Sequence, residues 1–225
     1  MTTAKIRTKI ITSFLDLLAS HSWHEVTLAK IAEASDVKLS KLRETFDGKV
    51  AIIEAFTRQI DAEVLDAIDE DIAEELPRER LMDILLSRFD ALAPYKAAST
   101  SLVSAARRDL SLAAQLNRVT LISMTWMLNA ANIDTSGIDG AMRVQGTALV
   151  FARVMNVWLK DEEGMAKTMA ALDRELRAGE RNMRRLNSLS GVFSPLKRFN
   201  ARRRASTVHS QDPVDAVMEE SSSAS

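Results

Sequence analysis

The stretch from Thr27 to Lys49 restricts the available folds most sharply. Two short helical patterns meet there at a turn without glycine, and the second pattern carries cations. Thr27 is a favourable N-cap for a first helix whose apolar positions are Leu28, Ile31 and Ala32. Asp36 stands where that helix must stop, and aspartate is one of the few side chains that visits the left-handed backbone of a tight turn. Val37 is placed to fill the angle between the two helices. The second helix carries Leu42 and Phe46 inward, four residues apart on one face, and leaves Lys38, Leu39, Lys41 and Arg43 on its other faces. Helix, turn and helix at this spacing present the second helix to the major groove, where phosphates and base edges are met.

The rest of the chain reads as helix throughout. Only 7 glycines and 4 prolines punctuate 225 residues, and Ala, Leu, Arg, Glu and Met are abundant, so the expected class is all-α. A first helix from about Ala4 to Ser20 places Ile6, Ile10, Phe14, Leu17 and Leu18 on one stripe. Trp23 is large enough to seat it against the next two helices. A long helix is expected over 49–73, and Pro77 marks the start of another that stops at Ala93-Pro94. Further helices are expected over 97–108, 110–129, 138–160 and 162–187, with a polar loop over 132–140 and Asp161 as the N-cap of the last helix. That last helix carries Met165, Met169, Leu172, Leu176, Met183 and Leu186 along one side.

Ile10, Phe14, Trp23, Thr27, Ile31, Ala32, Val37, Leu42, Phe46 and Lys49, in step between Ile10 and Ile53, make the amino-terminal quarter resemble TetR-family transcriptional repressors. The resemblance implies a helix-turn-helix head over 1–48 and a helical body over 49–187 that binds a ligand and dimerises. It also implies that the apolar stripe of the last helix joins a four-helix dimer seam, the other reading being an ordinary core stripe. Double-stranded DNA would be the partner of a homodimer on palindromic operators. Thr27 and Lys49 would meet phosphate, while Lys38, Leu39, Lys41 and Arg43 would face the groove. The chain departs from the family where Asp36 replaces the turn glycine, Lys38 replaces the serine cap, and Arg43-Glu44-Thr45 replaces an aromatic-rich helix end. A second resemblance, carried by 80–95, with Arg88 to Tyr95 in it, and by 169–176, is to the lipid-binding accessory proteins of ubiquinone biosynthesis, which look like TetR proteins that no longer read DNA. That alternative is a lipid- or partner-binding protein without DNA binding.

Charge is segregated more than the net value of -1 suggests. Residues 1–50 hold 8 Lys and Arg against 6 Asp and Glu, a weakly positive head, whereas residues 51–94 hold 4 against 12. Cysteine is absent, which excludes disulfides and thiolate metal sites and is compatible with a reducing cytoplasm, the expected location. His21 and His24 lack further metal-ligand partners in sequence, so no metal or cofactor is expected. The chain has no glycine-rich phosphate loop, HExxH, serine elbow or cysteine nucleophile, and an enzyme is not expected. Phe89, Tyr95, Met124, Trp126, Met127, Phe151 and Met155 either pack the core or line an apolar pocket for a small apolar or amphipathic effector. In the tail, over 188–225, Phe193 and Phe199 accompany Lys197, Arg198 and Arg202 to Arg204. That segment fits peripheral contact with anionic lipid, added affinity for DNA, or a disordered extension, and 205–225 is expected to be disordered.

Overall fold

The computed structural model describes residues 3–68, 74–162 and 164–192, with side chains described as far as Arg181. The expectations for 193–225 and for the side chains of Met183 and Leu186 lie outside the described residues; the helix expected over 49–73 ends earlier, at Asp66, with Ala67 as its C-cap. Every regular element among the described residues is helical: α1 (Thr3–Ser20), α2 (Leu28–Ala34), α3 (Leu39–Thr45), α4 (Lys49–Asp66), α5 (Pro77–Leu92), α6 (Lys96–Ala106), α7 (Leu110–Ala130), α8 (Gly137–Trp158) and α9 (Ala166–Val192). Residues up to Glu180 form one compact unit. Beyond it, 181–192 continue as helix.

α1 buries Ile10, Ile11, Phe14, Leu15 and Leu18, a stripe wider than the one its spacing suggests. The cause is contact on two sides, since α1 packs against α2 and α4 on one flank and α6 on another. Ser101 of α6 donates its hydroxyl to the His21 carbonyl at 3.1 Å, which fastens the end of α1 to the body. Trp23 is buried and meets Phe14 edge-on, ring centroids 6.3 Å apart.

α4 runs from the head into the body, burying Ile52, Ile53, Phe56, Ile60 and Val64, and packs on α1, α5 and α7. The body core centres on Phe89, which is fully buried, stacked on Phe151 with centroids 4.9 Å apart and tilted against Trp158 at 5.6 Å. α5 begins with Pro77 in its first turn, where the missing N–H costs nothing, and hands over to α6 through a 3-10 turn at Ala93–Tyr95. Arg80 is buried, and its Nε donates to the Ala131 carbonyl at 2.8 Å, satisfying a backbone acceptor where α7 ends. Asp109 caps α7 by accepting from the backbone N–H of Ser111 and Leu112 at 2.9 and 3.0 Å.

Other boundaries differ from the expected ones as well. The loop after α7 is shorter, because Gly137, at φ 65°, lets the chain turn straight into α8, and Gly140 lies inside that helix. Gly140 is obligatory for another reason: a Cβ there would come within 2.0 Å of the Thr135 backbone carbon. α9 starts at Ala166 instead of Glu162, since Gly164 and Met165 are both left-handed, at φ 65° and 56°. Asp161 still serves the start of α9 from a distance, its carboxylate accepting from the Thr168 N–H at 2.9 Å and hydroxyl at 2.8 Å. The Thr168 backbone hydrogen bond is the main cause holding the Asp161 carboxyl below its ordinary 3.8.

Candidate nucleic-acid interface and ligand cavity

The head has the geometry that its turn residues suggest. The Thr27 hydroxyl accepts from the Lys30 N–H at 3.2 Å and caps α2, and Asp36 takes φ 48° after the buried Ser35. Lys38 occupies the N-cap position of α3 without a side-chain cap, as expected once serine is replaced. α3 is held by buried Leu42 and Phe46, with the Arg7 guanidinium 4.6 Å from the Phe46 ring centroid. Its outer surface carries Lys38 and Leu39, the latter 52% exposed, together with Lys41 and Arg43.

Both inner cations of that surface are paired. Lys41 Nζ meets Glu44 at 2.7 Å, one turn along, and Arg43 Nη1 meets Asp47 at 2.5 Å. The sequence draws attention to the cations and to Glu44. The role of Asp47 emerges only when α3 ends at Thr45 and turns residue 47 back toward Arg43. Lys49, expected at phosphate, has its ammonium against Trp23. Nζ donates to the Trp23 carbonyl at 2.6 Å and lies 3.9 Å from the ring centroid, and partial burial lowers its pKa. Thr27 is exposed, and its hydroxyl remains at the N-terminus of α2.

The candidate pocket residues separate into four groups. Phe151 and Met155 line a cavity of about 420 Å³ bounded by α4, α5, α6, α7 and α8. Phe89 lies behind its wall, stacked on Phe151, and Tyr95 meets the lining residue Phe56 edge-on at 4.8 Å. Met124 and Met127 are fully buried core, and Trp126, 55% exposed, lines a separate cleft of about 540 Å³ between α4 and α7. A helical spacing of one residue accounts for that split, because Trp126 and Met127 point about 100° apart around α7. Sequence reasoning missed Arg88, Arg107, Asn117 and Asn156, polar groups in the cavity wall. Arg107 Nη2 meets Asn156 Oδ1 across α6 and α8. Arg88 and Asp61 form a buried pair that joins α5 to α4, and Ser123 of α7 donates to the same Asp61 oxygen at 2.7 Å. Arg88 faces the cavity and Asp61 the cleft, so the pair stands in the partition between them.

Leu172 and Leu176 of α9 are buried within the single chain, which assigns them to core packing and not to an open seam. Leu149 on α8 and Met169 on α9 stay exposed. An exposed ion pair, Arg153 with Glu175 at 3.1 Å, links these two helices. Among the described residues no helix is long and apolar enough to cross a membrane.

Several solved proteins share this arrangement of helices. A TetR transcriptional regulator from Nitrosomonas europaea superposes with a TM-score of 0.61 at 20% identity, covering 78% of this chain and 98% of that one. A TetR regulator from a Rhodococcus species gives 0.58 at 17%, covering 79% and 97%. A TetR-family regulator from Streptomyces coelicolor gives 0.53 at 16%, covering 93% and 100%. The chain has the TetR-regulator fold. At these identities the likeness establishes architecture alone, and no protein-family model and no curated protein matches the sequence.

Proposed function

We propose that this chain is a ligand-responsive transcriptional regulator of TetR type, a repressor that binds palindromic operator DNA as a cytoplasmic homodimer. Its parts would be a reading head over 1–48, a ligand-binding and dimerising body over 49–187 and a tail over 188–225. The observation that carries the reading is α3, held by its inner face and exposed on its outer one, with Lys38, Leu39, Lys41 and Arg43 available to a groove. Thr27 at the N-terminus of α2 adds a hydroxyl for phosphate. α4 supplies the link to the body. Asp61, in the partition beside the cavity, lies twelve residues after Lys49, about 18 Å along one helix. A ligand that moves the body end of α4 therefore re-aims α3. Exposed Leu149 and Met169 support a dimer face on α8 and α9.

The test is a gel-shift screen of the purified chain against fragments of its own genome. A regulator retards a fragment with inverted half-sites. Failure to retard any fragment at low salt rejects the reading. One observation favours a second function, lipid or partner binding without DNA: Glu44 and Asp47 neutralise Lys41 and Arg43 on the presented helix. That reading predicts no DNA affinity even after both carboxylates are removed.

A further inference from the structure

The wall of the body cavity contains a buried cation whose hydrogen-bonding capacity the protein does not use up. Arg88 is 4% exposed and lines the cavity. Its Nη1 donates to Asp61, while its Nε–H is buried without any acceptor. A buried donor left unmade costs stability, so its retention beside an open space points to a guest that completes it. The edge of a guanidinium that carries Nε is also the edge that a carboxylate meets side-on, through two parallel N–H···O bonds.

The surroundings narrow the guest further. Among the described residues lining the cavity there is no Asp or Glu, and a second cation, Arg107, stands in the same wall. Most of the remaining lining is apolar, with Phe56, Leu92, Leu102 and Met155 among it, and Phe151 lies under the guanidinium, 5.4 Å from Cζ to ring centroid. Asp61 compensates Arg88 incompletely: desolvation is the dominant influence and lowers the guanidinium pKa despite the adjacent carboxylate. A dianionic head such as a phosphate monoester would set three negative charges against one deeply buried cation once Asp61 is included, whereas a single carboxylate sets two.

We propose that the cavity takes an apolar monocarboxylic acid, with its carboxylate on the Nε edge of Arg88 and its hydrocarbon body against Phe56, Leu102, Phe151 and Met155. The cavity volume of about 420 Å³ falls within the roughly 300–1,000 Å³ of pockets that hold small organic ligands. The inference rests on the effector half of the proposed function and names the chemistry of that effector. It also supplies a coupling: the acid's charge and Asp61 share one guanidinium and repel each other, and Asp61 belongs to α4.

Calorimetric titration of the full chain with straight-chain acids of about six to fourteen carbons, against the matching alcohols and methyl esters, tests it. The acid of best length should bind about tenfold to a hundredfold more tightly than its alcohol or ester. Arg88→Met should abolish that preference while leaving alcohol binding in place. Because Arg88→Met strands a buried carboxylate and is liable to unfold, Asp61→Asn provides the second arm. It removes the neighbouring negative charge, and acid affinity should rise several-fold while alcohol affinity stays the same. Equal binding of acid, alcohol and ester overturns the carboxylate assignment and leaves an effector cavity of other chemistry. Absence of binding by the whole acid series, or weaker acid binding in Asp61→Asn, also overturns it. DNA retardation is scored separately, so the regulator reading stands or falls on its own screen.

Discussion

Replacing both carboxylates that face the α3 cations, Glu44→Gln with Asp47→Asn, should strengthen DNA binding. Lys41 with Glu44 and Arg43 with Asp47 are largely solvent-exposed pairs at 2.7 and 2.5 Å. Such pairs contribute about 0–1 kcal/mol each to stability, so the double variant should keep its fold and nearly all of its melting temperature. Its effect on DNA is larger. Each freed cation that neutralises one more phosphate adds about 0.9 to the magnitude of the slope of log K against log salt. At about 0.15 M salt this amounts to roughly fivefold per cation, and roughly 30-fold for the two cations of one subunit. Fluorescence anisotropy on a retarded genomic fragment, repeated from low to physiological salt, measures affinity and slope together. Wild-type affinity with an unchanged slope would refute the reasoning, because it would mean that the outer face of α3 does not meet phosphate.

Three further outcomes follow from the geometry. Lys49→Met removes the hydrogen bond to the Trp23 carbonyl and the contact with its ring, and should cost about 1–2 kcal/mol in urea unfolding; it should lower the salt slope less than Arg43→Ala does. Gly140→Ala forces a methyl group onto the Thr135 backbone and should cost about 1–3 kcal/mol or more by the same measurement, without any change in DNA slope once folded. Asp161 has its pKa depressed by Thr168, so its stabilisation is complete above its ordinary value of 3.8 and is lost as pH falls through the lowered value; melting temperature followed from neutral pH to strongly acid solution should show less of this acid-side loss in Asp161→Asn.

Much of this architecture was legible because helices announce themselves locally. Thr27, Asp36, Leu42 and Phe46 define the two short helices through capping, left-handed tolerance and spacing, and each behaves as those rules require. The elements left open by the sequence are those decided by distant partners. Leu172 and Leu176 carry the pattern of an interface stripe, but whether such a stripe meets its own core or a second chain depends on helices far away in sequence. Trp126 lines the cleft between α4 and α7 while Met127 beside it is core, a division set only by the register of α7. Arg88 drew no attention as a site because a charged residue in a helical run reads as solvated. Its pairing with Asp61, 27 residues earlier, is a product of tertiary packing. A phosphate role for Lys49 rests on the resemblance, whereas its contact with Trp23, 26 residues earlier, is a product of tertiary packing.

The central claim, that the head binds DNA through α3, is tested most directly by the salt dependence of the intact chain on the genomic fragment that it retains best. With Lys38, Lys41 and Arg43 on each subunit of a dimer and two of the three paired, log K against log salt should fall linearly with a slope of about −2 to −5. Affinity for no fragment, or binding that is indifferent to salt, would contradict the account.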